Sequence, residues 1–458
     1  MAVELFNPKP LAWDSADLDA DTREMLATLQ PNILRAHVRE HLSVLFVRFA
    51  VPDDGRRFVR GLVPLMKSAR RHLEEVRRFD QSRTQGSPYV GLGLSRSGYR
   101  HLGHDISDLR KFGDLAFREG MKKRAVVLDD PPSHEWDAAY QRDIHAVVLV
   151  GDSDPEAYRA TLARVRALIP PDARILGEET GVAQRNKAGE GIEHFGYVDG
   201  RSQPLFLADQ VSKEPGRNWD PFFPLSQILV PDPLAPDPDR HFGSYFVFRK
   251  LEQNVRAFQR AEQDLADALG LSGPARARAG ALLVGRFRNG TPLLLHPDPS
   301  SDGWAVQNNF NYTRDPGGKC PMAAHIRKTN PRDGLERGVM MARRGQTYGV
   351  RTDQPWDDAS PETRPTGGVG LLFMAFNSSL EAQFEFTQQS WANNPDFPDG
   401  SVGHDPVIGQ GPRDIQVTHP DSWGSDTLTP EVRQIPQTVT MRGGEYFFMP
   451  SLAYLKKV

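Results

Sequence analysis

Four places in this chain carry side chains that do chemistry at recognisable spacings. His37-Val-Arg-Glu40-His41 has the H-x-x-E-H form of a zinc site, which requires both imidazoles on one helix face. A strand-like run starts at Leu42, so little helix remains to hold the pair, and a loop or surface role is expected for both histidines. Gly91-Leu-Gly93 with Gly98 lacks the spacing and the βαβ frame of a dinucleotide loop. In HFGYVDGRSQP, residues 194–204, Gly196 and Gly200 bracket Asp199, which permits a tight turn and close approach of backbone to a ligand. Spacing alone favours the plainer reading, an Asx-type turn in which Asp199 bonds its own backbone. The fourth place is CPMAAHIRKTNPR, residues 320–332, with MMARRG at 340–345. A neutral imidazole at His325 would be a good iron ligand, and the cationic side chains near it suit the carboxylates of a bound anion. Residue types alone favour a surface histidine.

The elements that must position these groups follow one pattern. Runs rich in Val, Leu and Phe occur at 42–49, 145–151, 244–250 and 370–376, and polar breaks follow them. After the second, Asp152-Ser-Asp-Pro-Glu156 supplies caps and an early proline ahead of AYRATLARVRALI, an amphipathic helix. After the third, LEQNVRAFQRAEQDLADALG repeats the design and stops at Gly270. Two units precede residue 213 and two follow it. Between them lies a Pro-rich stretch carrying Pro215, Pro221, Pro224, Pro231, Pro233, Pro236 and Pro238. The arrangement predicts an α+β fold made of two duplicated ferredoxin-like βαβ halves with antiparallel sheets. The expected divisions are an N-terminal extension (1–28), a first ferredoxin-like domain (29–212), a linker (213–240) and a second ferredoxin-like domain (241–458).

Composition narrows the function classes. With 56 Lys+Arg against 59 Asp+Glu the net charge is −3, and no strongly basic face for nucleic acid is indicated. One cysteine, Cys320, excludes an intrachain disulfide and a Cys-rich zinc site. Mean hydropathy is −0.52, no run approaches the roughly 18 apolar residues of a membrane span, and no export pattern opens the chain. A cytoplasmic protein with no membrane or nucleic-acid partner is expected.

At these residues the sequence resembles the dye-decolourising (DyP-type) haem peroxidases. Their G-x-x-D-G hallmark stands here as Gly196-Tyr-Val-Asp199-Gly200, extended by Arg201-Ser-Gln-Pro204. Their haem-ligand segment resembles His325-Ile-Arg-Lys-Thr-Asn-Pro-Arg332, and their distal arginine segment resembles Arg343-Arg344-Gly345 through Tyr348-Gly349. Further likeness at 29–35, 248–252, 284–286 and 370–373 extends the resemblance from about Leu29 to the C-terminus. The family fold, two ferredoxin-like halves, agrees with the duplication.

The resemblance implies one haem b per chain, held mainly by the C-terminal half, with His325 as the iron ligand and Asp405 as the carboxylate behind it. It implies Asp199 as acid/base and Arg343 as the cation facing hydrogen peroxide. Gly200, Arg201, Ser202, Asn330, Pro331 and Arg332 are implied to contact the haem, and Phe373 to wall its distal side. Hydrogen peroxide would be reduced through an oxoferryl intermediate while dyes, phenols or other aromatic donors lose single electrons. Activity favouring acid is expected, because a carboxylate still accepts protons where an imidazole is already charged. Bulky donors would pass electrons through a surface Trp or Tyr, with Trp13, Trp136, Trp219, Trp304, Trp356, Trp391 and Trp423 among the candidates. Cys320 is expected to be a packed thiol. Two rivals are a haem carrier or iron-releasing, deferrochelatase-like protein, and a catalytically silent interaction protein that binds no haem. The residues do not specify oligomeric state.

Overall fold

The computed structural model describes residues 3–107, 111–214, 216–300, 307–357, 359–413, 418–425, 427 and 435–458. Pro215 and Trp304 lie outside them. In the first half, β1 (His41–Arg48) leads to α1 (Pro52–Leu62), β2 (Tyr89–Ser95), β3 (Ala146–Asp152), α2 (Pro155–Leu168) and β4 (Arg174–Val182). These strands lie in the order β2-β3-β1-β4, all antiparallel, with Leu45 opposite Val148. The second half repeats the plan. Its strands are β5 (Phe242–Gln253), followed by α3 (Val255–Ala268), then β6 (Ala342–Arg343), β7 (Gln346–Tyr348), β8 (Gly370–Asn377) and β9 (Val439–Met449). β5 lies between β9 and β8, and both β6 and β7 pair with the far edge of β8. Each half is therefore ferredoxin-like.

The two sheets join into one barrel. β9 pairs with β2 through Phe447 and Ser95, and β7 pairs with β4 through Tyr348 and Gly181. Closure removes the exposed edges that a four-stranded sheet leaves unpaired. Aromatic contacts such as Phe46–Phe248 (4.9 Å between ring centroids) and Phe46–Tyr140 (5.2 Å) pack the core, each buried ring contributing roughly 2–3 kcal/mol. Among the described residues no helix is long and apolar enough to cross a membrane.

The four apolar runs became β1, β3, β5 and β8, while β2, β4 and β9 carry weaker signals. β2 holds Gly91 and Gly93 because a Cβ there would lie 2.3 Å from the Tyr89 hydroxyl or 2.7 Å from the Met449 sulfur. β4 is polar and largely uncovered, and pairing with β1 defines it. Residues 251–253 belong to β5 and not to the helix, since Asn254 caps α3 by accepting the Ala257 N–H at 3.0 Å. His37 does lie in a loop, but it packs on the rings of His72 and Tyr89 and lies 3.1 Å from the Lys67 ammonium. Among the described residues no His, Cys, Asp and Glu group forms a metal site.

Several imidazoles are buried in neutral form, which predicts acid sensitivity. Burial pulls His145, His194 and His419 each down to about 4; the charges of His101 and Arg48 add to the effect at His145. His145 accepts the Phe49 N–H, and His194 lies between the Gln184 amide and the Tyr348 carbonyl (2.7 Å), an arrangement a neutral ring satisfies. The unfolded chain protonates these rings near 6.5 and the folded chain only near 4, so each contributes stability that is lost as pH falls through that window. The loss is on the order of 3 kcal/mol per ring. Glu193, pushed up to about 7 chiefly by burial, opposes it in part. The expected result is a urea midpoint that drops steeply between pH 6.5 and 4; a flat profile would contradict neutral burial.

Candidate active site

The loop after β4 is built around a buried carboxylate. Glu193 accepts the N–H groups of Phe195 (2.7 Å) and Tyr197 (3.0 Å) and the Gln253 amide (2.5 Å), folding 193–197 into a closed turn. Gly196 adopts φ +98°, and a Cβ there would strike the Pro355 carbonyl at 2.6 Å, so glycine is required. The Phe195 ring stacks on Phe258 of α3 at 4.1 Å and ties the loop to the second half. Asp199 follows on the exposed side. Its Oδ1 accepts the Gly200 N–H at 2.6 Å, one residue nearer than an Asx turn, and its Oδ2 has no partner among the described residues. One oxygen thus serves the turn and the other is free for chemistry.

Arg343 reaches the same region from β6. It lies opposite Ala375, so it shares a sheet face with Phe373, two residues along β8. Phe373 is half-buried, with its ring 5.8 Å from that of Phe384. The Arg343 N–H bonds Gln203 Oε1 (3.0 Å) and Nη2 donates to the Arg201 carbonyl at 2.6 Å. No direct ion pair joins Arg343 to Asp199; burial pulls the guanidinium down while the Asp199 charge holds it up. Arg344 turns inward and bonds the carbonyls of Asn32 (2.7 Å) and Ile33 (2.8 Å), anchoring β6 from behind.

His325 opens α4 (His325–Thr329). Its Nδ1 lies 2.8 Å from Asp405 Oδ2, while Nε2 has no partner among the described residues. Asp405 is fully buried, whereas the His325 side chain keeps 27% of its surface open. Burial pushes Asp405 up, but the imidazole and the N–H groups of Val407 (2.8 Å) and Ile408 (3.0 Å) outweigh it and hold the carboxyl below its usual range. Burial likewise pulls His325 down, and Asp405 more than restores it, with Arg343 and Asp199 also within electrostatic reach. That shared reach brings the three sequence motifs to one site. Lys328 pins the loop that carries Asp405 by donating to the carbonyls of Asn394 (2.7 Å) and Gly403 (2.6 Å). Burial pushes the Cys320 thiol up to about 12, so it is a neutral packed thiol.

A second cationic group is formed by Arg286 and Arg332, which lie within electrostatic reach of one another, with Arg201 also in reach of Arg286. Arg332 donates to the Ser202 hydroxyl (2.6 Å) and to the Phe310 carbonyl (2.9 Å), and Arg286 donates to the carbonyls of Gly290 (2.9 Å) and Gln307 (3.0 Å). Both are buried, neither has a carboxylate partner among the described residues, and burial with mutual repulsion pulls Arg286 down to about 9. Arg201 instead pairs with Glu190. Both side-chain polar atoms of buried Asn330 lack partners among the described residues. Pro331 is buried between Asn330 and Arg332, and Gly200 is exposed beside Asp199. An imidazole nitrogen and an amide without partners among the described residues, together with buried cations that no described carboxylate pairs, are what an iron porphyrin with two carboxylates satisfies, so the residues fit haem.

Arg286, Glu193 and Asn308, whose Oδ1 accepts the Ser202 hydroxyl at 2.6 Å, were not singled out as site residues from the sequence. Arg286 stands in the VGR segment noted for its likeness; the other two show no spacing signal. Trp13, Trp136, Trp219 and Trp391 are buried, leaving Trp356 and Trp423 partly exposed among the described tryptophans.

The chain is similar to known proteins along nearly its whole length. A family model described as the DyP dimeric alpha+beta barrel domain matches residues 29–184. The multifunctional dye peroxidase DyP2 of Amycolatopsis sp. is 53% identical over 465 residues, covering 98% of either chain. Its solved structure superposes with a TM-score of 0.94, covering 98% of this chain and 99% of that one. The DyP-type peroxidase AnaPX of Anabaena sp. follows at 37% identity and a TM-score of 0.87, covering 95% and 94%. A deferrochelatase of Yersinia pestis is 34% identical over 114 residues, only 23% of this chain and 21% of that protein.

Proposed function

Because the chain belongs to the dye-decolourising (DyP-type) peroxidase family, we propose that Asp199 and Arg343 act on hydrogen peroxide beside one haem b per chain ligated by His325. Dyes, phenols or related aromatics would supply single electrons. The observation that carries this reading is the 2.8 Å His325–Asp405 bond, which leaves Nε2 free in a site that Asp199 and Arg343 also reach.

Bound haem supplies an iron that accepts oxidising equivalents from peroxide and hands them on one at a time. His325 would hold it through Nε2, and the Nδ1 bond to Asp405 fixes the ring and makes it a stronger donor. Arg286, Arg332 and Asn330 would hold the propionates, with Ser202, Arg201, Gly200 and Pro331 shaping that edge. Most of these groups come from the C-terminal half. Asp199 Oδ2 takes the proton from one peroxide oxygen and delivers it to the other, which leaves as water. Arg343 stabilises the negative charge that builds up as the oxygens separate. Phe373, on the Arg343 face, would limit the room above the haem.

A carrier needs His325 and the cation group but assigns no task to Asp199 or Arg343. Stopped-flow mixing of the haem-loaded protein with hydrogen peroxide separates the readings. A fast spectral change followed by dye bleaching is expected; haem uptake with an unchanged spectrum would establish the carrier. Asp405→Asn should retain haem yet lose about 10–100-fold in haem affinity or activity, measured by haem titration and dye turnover. The cytoplasm is the proposed compartment, because the framework needs no disulfide; cell fractionation tests it.

A further inference from the structure

Away from this site, on the outer end of the β1–β4 pair, three guanidinium groups gather without an acid. Arg48 and Arg174 are directly opposite one another on adjacent antiparallel strands, a placement in which like charges repel. Beside them the register slips between Phe46 and Val47, leaving Leu176 as the extra residue of a bulge. Arg142, from the loop before β3, completes the wall. Arg48, Arg142, Arg174 and Leu176 line a pocket of about 270 Å³. None of the three guanidinium groups has a carboxylate partner among the described residues. Arg48 is in electrostatic reach of Asp143, which is already paired with Lys122 at 2.8 Å. The field of Arg48 also reaches His145 and His101 and contributes to lowering both, behind burial. A chain of net charge −3 thus concentrates positive charge at one concave place.

We propose that this pocket binds a compact oxoanion carrying two or more negative charges, of the phosphate or pyrophosphate class. Planar forks lining one concave place suit such an anion, since a guanidinium can donate two parallel hydrogen bonds to it. The Leu176 side chain offers no competing acceptor. The anion would relieve the cross-strand repulsion that the fold otherwise retains.

The test is calorimetric titration of inorganic pyrophosphate into the haem-loaded full chain, with sodium chloride at matched ionic strength as control. Loading with haem fills the separate Arg286–Arg332 group. Saturable one-to-one binding is expected, weakened roughly tenfold or more in Arg174→Ser and in Arg48→Ser by loss of charge-assisted hydrogen bonds. Both residues are exposed and outside the catalytic machinery, so peroxidase turnover should stay at the wild-type level. Thermal melting gives a second readout with a change of sign: Arg174→Ser melts above wild type without pyrophosphate and below it with pyrophosphate. Identical isotherms for all three proteins, an absence of saturable binding by wild type, or parallel melting shifts would overturn the proposal.

Discussion

Asp199→Asn should lower kcat/KM for hydrogen peroxide by about 10²–10⁴-fold, the usual contribution of a positioned acid/base. The substitution is nearly isosteric, and an amide oxygen can still accept the Gly200 N–H that Asp199 Oδ1 accepts at 2.6 Å. The turn therefore survives while the proton acceptor is lost. Haem uptake should be unchanged, which separates this effect from misfolding. Arg343→Leu should lose a comparable but smaller amount, about 10²–10³-fold, because it removes charge stabilisation without removing the base. The pre-steady-state rate against peroxide concentration measures both. A wild-type rate in Asp199→Asn would assign the base elsewhere, and Glu193 is a poor substitute because both its oxygens already accept N–H groups.

His325→Ala should abolish stable haem binding, read as loss of the visible haem band at stoichiometric haem. The same change removes the partner of a fully buried carboxylate. An unpaired charge at Asp405 destabilises the chain by roughly 3–5 kcal/mol, so reduced expression alone would not test ligation. The double variant His325→Ala/Asp405→Ala removes that charge and should regain much of the stability while still failing to hold haem. Added imidazole should restore part of the band in the single variant. Full haem occupancy in the double variant, with an unaltered spectrum, would rule out His325 as the ligand.

Much of the architecture was legible because the runs at 42–49, 145–151, 244–250 and 370–376 are buried on both sides and leave a continuous apolar signal. β4 was not, because its residues are half-exposed and only pairing with β1 and β7 makes them a strand. β9 carries Gly443 at φ +142° where a Cβ would sit 2.2 Å from the Tyr140 ring, so a packing demand interrupts its pattern. Asp199, His325 and Arg343 could be marked by motif, whereas residue types and spacing alone favoured a turn and a surface histidine. What distinguishes them is tertiary: a free Oδ2, an Nδ1 committed to a carboxylate 80 positions away, and an arginine set by a two-residue strand. That no described carboxylate pairs with Arg286 is likewise invisible until the loops are in place.

The seam between β9 and β2 also orders events during biosynthesis. β2 emerges from the ribosome early, yet its neighbour in the closed sheet, β9, is made after every other strand of the barrel. Until then the first half presents an unpaired edge at β2, and Glu445 on β9 cannot yet receive the Met121 N–H. Nascent chains are thus open to mispairing throughout translation of the second half. Closure of the barrel through the β9–β2 seam therefore waits until β9 itself has been made.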